Sequence, residues 1–535
     1  MDRTRLINSS KSDEFGDSYG SIESYSTSQN YTDESRKPIR ITNNHSQCTT
    51  LYTYTVLLLT VCAIITGEFV FIPIALKKLE MVKNCETKDL GIFPLTAVAS
   101  DDYRCSETAR KILRRNGSAV DAAIGAMLCL GVVVPQSTGL GRGLSVGIPG
   151  QVLGMWEAHQ KFGKLPWSSL FKDSIKLSRD GAKVSPIFAD YLMTYKKFIV
   201  AHTGLRNLFW NFKTNDVYKE GDVVKNVKLA DTLERISLGG ADEFYRKETA
   251  KILVNDIQNA GGIIKKSDLE NYKVDWTTPI TTKIKGMELF SVPPPSSSSY
   301  VFFLLNVMES YNFTPKDFKS TYSSTFDAEH YRAKHKAKIH HGTSHLSILA
   351  PDGSAVSVTT SLNYNFGSKL VSRTTGIILN NQMRDFSGIG DKDSLELPES
   401  PSNYISPGKR PMSSISPIIM VDPKTENVTA VVGSSGGPAI PTTIAQVMLL
   451  KLFLGKTTQE AVREPRIHHQ LFPNNIGYEK NFPEAIIDGL RQKGHTLKIN
   501  SLPITSASNV IFHTEKCITT SSDPRKGGLR ASVGF

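Results

Sequence analysis

Cysteine is scarce in this chain: six residues in 535, at positions 48, 62, 85, 105, 129 and 517, with no Cys-x-x-Cys pair among them. That excludes a disulfide-dense scaffold and the usual zinc-ribbon spacing. Cys85 and Cys105 could pair in an oxidising compartment, but spacing alone does not decide it. Also missing are an RNP-like run, a zinc-finger pattern and any internal repeat. The formal net charge is +12, yet the Lys and Arg residues are scattered. The excess therefore reads as a solvated basic surface, and no nucleic-acid partner is expected. No familiar ligand spacing closes around His335, His340, His341 and His345. That run reads as a solvated basic helix, and neither a metal nor a cofactor is expected. What remains is ordinary: 39% hydrophobic and 21% charged residues, enough for a large core.

The chain falls into three regions. Residues 1–50 are rich in Ser, Thr, Asn, Asp and Tyr and poor in large aliphatics. Such a segment cannot offset its ordering entropy, so a disordered tail is expected. Residues 51–76 hold the one long hydrophobic run, LYTYTVLLLTVCAIITGEFVFIPIAL. It is long enough to span roughly 30 Å of hydrocarbon. The largely polar 50-residue segment before it argues against a cleaved signal peptide and for a transmembrane anchor helix, followed by a stalk over residues 77–94. Flanking charge does not orient it, because Arg36, Lys37 and Arg40 face Lys77, Lys78 and Lys83 across it. Glycosylation sequons also lie on both sides, at Asn8, Asn30 and Asn44 and at Asn116, Asn312 and Asn427.

From about residue 90 the pattern is α/β. Ser100–Arg115 has helical composition and ends at Asn116-Gly117, a left-handed stop. Ser118 and Asp121 then form a capping box opening a very apolar helix that runs through Leu130. A later stretch, Pro293 to Ser299, is a short low-complexity loop that reads as a wall rather than a linker.

The chemistry gathers in the last third. Two alternating β-rich runs, Thr343–Ala350 and Ala355–Asn363, flank a Pro-Asp-Gly turn and predict a hairpin. With Pro351–Gly353 as the loop, cross-strand partners sum to 704, which sets Thr343 opposite Ser361 at the open end. A Thr hydroxyl becomes a nucleophile when an adjacent base takes its proton, and its own freed α-amine can be that base. Glycine at 342 permits the close backbone approach that such an attack on the preceding carbonyl needs. A second constellation, Thr429 to Pro438, is a β-rich run ending in Gly436 and Gly437, whose amides at a helix start suit a developing oxyanion. Pro441 then opens an apolar helical stretch. A third holds Asn380, Gln382 and Asp385, with Ser413 and Ser414 further on: groups able to hold an ammonium or a carboxylate.

Taken in order, SETARKILRRNGSAVDAAIGAMLCLGVVVPQS, GLSVGIPGQVLGMWEAH, GTSHLSIL, LNYNFGSK, ILNNQMRDF, PGKRPMSSISP, VVGSSGGPAIP and SDPRKGG resemble the γ-glutamyltransferase (glutathione hydrolase) family of N-terminal-nucleophile hydrolases, over roughly Leu95 to Phe535. The resemblance implies an α+β fold, a four-layer αββα sandwich of the N-terminal-nucleophile hydrolase type. It implies a proenzyme cut before Thr343 into a heavy part (residues 95–342) and a light part (343–535). Thr343 would carry a γ-glutamyl ester, formed from glutathione or a related γ-glutamyl compound and passed to an amino acid, a dipeptide or water. Ser361 stands where the family has a second Thr supporting the nucleophile. Asn363, Gln382 and Asp385 match the positions that hold the amino-acid end of the substrate, Ser413 and Ser414 its carboxylate, and Gly436 and Gly437 the oxyanion region. It also implies a type II protein of the plasma membrane, with residues 1–50 cytoplasmic and the catalytic part outside.

Two departures from the family stand out. After Gly139-Leu-Gly141 the family continues through a hairpin carrying an Arg that grips the α-carboxylate; here Arg142 follows at once. Ala328 to Tyr331 likewise runs almost directly into His340 and Thr343, where the family has a longer stretch. The missing Arg segment supports a second reading, a membrane-tethered relative with little or no turnover. A serine hydrolase is a third, on the elbow-like spacing of Gly143, Ser145 and Gly147, but no Asp and His follow in the right order.

Overall fold

The computed structural model describes residues 91–137, 145–311, 341–388, 399–499, 506–514 and 517–535. The expected tail and anchor, nearly all of the stalk, Arg142, His335 and His340 lie outside them. Among the described residues no helix is long and apolar enough to cross a membrane.

Eleven strands build the two main sheets: β1 (Ile92–Phe93), β2 (Ala97–Ala99), β3 (Ile280–Ile284), β4 (Met287–Ser291), β5 (His341–Leu349), β6 (Ala355–Tyr364), β7 (Ile418–Val421), β8 (Val428–Ser435), β9 (Ala507–His513), β10 (Ile518–Ser522) and β11 (Ser532–Gly534). The first sheet runs β6-β5-β2-β11 and the second β1-β10-β9-β8-β7-β4-β3. The helices that matter below are α1 (Tyr103–Arg114), α2 (Ala119–Val133), α3 (Gln151–Phe162), α4 (Lys172–Asp180), α5 (Thr203–Phe209), α6 (Val227–Tyr245), α7 (Ser298–Ser310) and α8 (Ile440–Leu452).

The layers follow from strand alternation. On β5, Leu346 and Ile348 face the helices and share a core with Ala122, Ala126 and Leu130 of α2. On the outer face of the second sheet, Ile418, Val432 and Val510 pack against Ile444 and Val447 of α8. Between the sheets lie Ala97, Leu349, Val431, Ile511 and Ile518. Helix, sheet, sheet, helix: this is the expected four-layer sandwich.

Local signals set the first two helices. Asp102 caps α1, its carboxylate accepting from the Arg104 amide. Asn116 takes a left-handed φ of 63° just past its end. The Ser118–Asp121 capping box is formed in both directions, and α2 runs on to Val133. The pairing that spacing left open is resolved here: Cys105 bonds Cys129, not Cys85. Each lies twelve residues from Gly117, so folding the chain at that glycine brings the two antiparallel helices together with the cysteines opposed, Cα to Cα 5.3 Å.

Candidate functional site

The hairpin forms in the expected register: every pair from Ala355–Leu349 to Ser361–Thr343 sums to 704. A bulge then shifts the ladder, and Asn363, with φ of 75°, pairs with Gly342. The bulge turns Ser361 toward the Gly342–Thr343 peptide. Its hydroxyl donates to the Gly342 carbonyl at 2.9 Å and lies 2.9 Å from Thr343 Oγ1, while the Asn363 amide donates to it at 2.8 Å. With Ser361 committed as donor to Gly342, the Thr343 hydroxyl is the donor toward Ser361. Thr343 is only 4% exposed. Glycine is required at 342, since a Cβ there would sit 2.4 Å from the Tyr364 carbonyl oxygen.

Along the same face of β5 stands His345. It belonged to a run expected to be solvated; instead it is fully buried between the sheets. Its Nδ1 lies 2.9 Å from Thr359 Oγ1 and its Nε2 3.1 Å from Ser347 Oγ, and Gly433 makes room for the ring. Burial pushes its pKa down to about 3, so the imidazole is neutral at physiological pH. It is a spacer, not the base for Thr343.

The sequence reading missed the cation beside the nucleophile. Lys526, nearly buried, donates to the Thr343 carbonyl and lies 3.3 Å from Ser435 Oγ. Its charge is matched by Asp101 at 2.8 Å. Asp101 also accepts from Asn509 Nδ2 at 2.8 Å, and the same amide nitrogen reaches the His345 carbonyl. Behind this, Asp523 meets Arg466 and Arg525, and Arg525 meets Glu479. Burial opposes ionisation of Asp523, but the two arginines hold its carboxyl below the ordinary range. SDPRKGG was visible as a sequence pattern; that its Lys would reach Thr343, 183 residues away, was not.

The glycine pair also lies at this end. Gly436, at φ 121°, follows Ser435, and a Cβ on it would come 2.5 Å from Ser506 Cα. Gly437 begins a short 3-10 turn, packed against β5, that leads into α8.

The third constellation sits beyond the hairpin end. Gln382 Nε2 donates to Asp385 Oδ2 at 2.7 Å, on a 3-10 turn that borders β6. Asn380 seats this turn, its side-chain oxygen accepting from the Gln382 and Gly147 amides. Asn403 links Asp385 to the serines: its amide donates to the Asp385 carbonyl and its oxygen accepts from Met412 N. Ser413 is then held by the Pro-Ser loop, through Ser413 N to the Pro295 carbonyl and Ser297 Oγ to the Ser413 carbonyl. That loop therefore borders the Ser413–Ser414 segment. Among the described residues, no hydrogen bond joins the Ser413 or Ser414 side chain to Thr343, Gln382 or Asp385.

The chain is 33% identical to Scoloptoxin SSD14 of Scolopendra dehaani, covering 83% of this chain and 94% of that one. It is 34% identical to Glutathione hydrolase 2 of Arabidopsis thaliana, covering 81% and 93%. Its fold is similar to that of the cephalosporin acylase from Bacillus halodurans, with a TM-score of 0.67 at 20% identity over 82% of this chain and 96% of that one. The family described as Gamma-glutamyltranspeptidase matches residues 105–144, 142–326 and 316–533, and the chain belongs to that family.

Proposed function

We propose that the protein cleaves itself between Gly342 and Thr343 and then transfers or hydrolyses γ-glutamyl groups, glutathione included, through an ester on Thr343. The observation that carries this is the Thr343–Ser361–Gly342 contact. Thr343 Oγ1 attacks the Gly342 carbonyl carbon, its proton passes to Ser361 Oγ, and the Ser361 proton passes to the carbonyl oxygen. Collapse breaks the C–N bond as the hydroxyl proton of the tetrahedral intermediate passes to the nitrogen, leaving an ester at Oγ1 and the α-amine of Thr343 free. Water then hydrolyses the ester and releases the chain ending at Gly342.

The freed amine is the base for turnover. An α-amine ordinarily titrates near about 7.7–8.0. The Lys526 ammonium, on the carbonyl of the same residue, disfavours a second positive charge there and so favours the neutral, proton-accepting amine. The Gly436 and Gly437 amides serve the oxyanion, Asp385 with Gln382 the substrate ammonium, and Ser413 and Ser414 its carboxylate. The Cys105–Cys129 disulfide suits an oxidising compartment, in keeping with a membrane anchor at residues 51–76 and an extracellular catalytic part.

The test is mass spectrometry of the purified chain with turnover of a γ-glutamyl anilide. Wild type should give a fragment beginning at Thr343 and release the aniline; Thr343→Ala should stay intact and inactive. An intact, inactive wild type would favour the tethered, non-catalytic reading.

A further inference from the structure

On the helical side of the first sheet lies an apolar cavity that is partly open to solvent. It has about 110 Å³ open to the centres of water-sized molecules and lies among α2, α3, α4, α5, α6 and the Gly376–Ile378 segment. Met127, Met155, Phe209, Leu233, Phe244 and Ile377 line it, all of them buried. Among the described residues, no charged side chain is in its wall.

Each polar side chain that reaches the wall already makes at least one hydrogen bond. Asn226 donates to the Gly376 carbonyl at 2.8 Å and accepts from Leu229 N at 3.1 Å. Thr232 Oγ1 bonds the Thr375 and Lys228 carbonyls, each at 3.0 Å, and Ser178 Oγ donates to the Asn226 carbonyl at 2.7 Å. Gln151 Oε1 accepts from Thr360 at 2.9 Å. Water here would find few partners, and a buried water needs two to four. These same bonds keep the walls apart: Asn226 and Thr232 brace α6 against the loop at Gly376, and Trp167 Nε1 holds the Ile236 carbonyl at 3.1 Å. The space can therefore neither hydrate well nor collapse.

We propose that this cavity is a binding site for an uncharged, apolar molecule of about the size of one aromatic ring. Space for a single water needs roughly 10–15 Å³ by the same measure, and an apolar cavity of roughly 150 Å³ is known to take up benzene. The available volume suits one such ring and not a second. Charge excludes a carboxylate of equal size, because nothing in the wall can compensate it. The site lies on the helical side of β6, whereas Thr343 faces the second sheet, so its occupant is not the γ-glutamyl substrate.

The test is the melting temperature of the full chain titrated with toluene, with benzoate as the charged control. A ligand at about tenfold its Kd should raise Tm by roughly 1–3 °C, and benzoate should leave it unchanged. Val132→Phe, which fills the space, should abolish the toluene shift. Leu233→Ala, which enlarges it, should keep the toluene shift and add one with naphthalene, so the result does not hang on the filled variant folding. Absence of a toluene shift in both wild type and Leu233→Ala, or an equal shift from benzoate, overturns the proposal.

Discussion

The space between the two sheets has two ends of opposite character. At one end Ala97, Leu349, Val431, Ile511 and Ile518 meet in an apolar seam. At the other, the same face of β5 presents Thr343, His345 and Ser347, closed off by Asn509, Asp101 and Lys526. The apolar seam needs only complementary shape, and many side chains could provide it. The polar end depends on paired donors and acceptors, with Asn509 Oδ1 already unpartnered there, so few residues can be exchanged without stranding more of them. Uniqueness of position is what a nucleophile requires. The fold holds Thr343 at the end where substitution is least tolerated.

Removing the cation should break this difference most visibly. Lys526→Met leaves Asp101 buried beside a neutral chain, and stranding a buried charge typically costs about 3–5 kcal/mol. It also removes a charged hydrogen bond from Thr343, worth about 1.5–3 kcal/mol, or roughly ten- to a hundredfold in the rate of scission. Adding Asp101→Asn should restore most of the stability and none of the rate. Chemical denaturation and a time course of fragment appearance measure the two separately. Recovery of both together would mean that Lys526 is only a structural counter-ion.

The apolar seam should answer differently. Leu349→Ala deletes a buried side chain six residues along the same strand face and should cost about 2–5 kcal/mol. In the folded fraction, scission and kcat/KM should stay within about twofold, because no polar partner of Thr343 is disturbed. A large rate loss at intact fold would show that the two ends are mechanically coupled and erase the distinction.

How much of this was legible follows the same division. The hairpin register could be computed because a Pro-Asp-Gly turn and strict alternation are local, and the 704 sum holds up to Ser361. The capping box at Ser118 and the left-handed Asn116 were legible for the same reason. The Cys105–Cys129 bond was within reach, given the turn at Gly117, but needed the two helices to be antiparallel neighbours. Lys526 was not legible. Its partners Asp101 and Thr343 lie in distant parts of the chain, and sheet order (β2 between β5 and β11, the strand that follows Lys526) brings them together. His345 misled for a related reason: counted among neighbouring histidines it looked solvated, whereas its strand face buries it.

His345 gives the smallest and sharpest contrast between the two ends. Its ring faces the hydroxyls of Thr359, Ser347 and Ser357 and the backbone at Gly433, and none of these is charged. Nothing there compensates a proton, which is why burial lowers its pKa to about 3 in the folded chain. In the unfolded chain it titrates near about 6.5. The unfolded state therefore binds the extra proton first, and stability from this residue is complete above that value and is lost as pH falls toward 3. One proton corresponds to a slope of at most about 1.4 kcal/mol per pH unit. His345→Gln keeps a polar side chain but cannot titrate, so its stability should decline less steeply than wild type by up to that slope between about pH 6 and pH 4. Leu349→Ala, at the seam without a titrating group, should run parallel to wild type throughout. Urea melts of the three proteins across this range are the measurement. Equal slopes for wild type and His345→Gln would mean that the imidazole finds a proton-stabilising partner in the fold, and that the polar end is less strictly matched than its hydrogen bonds indicate.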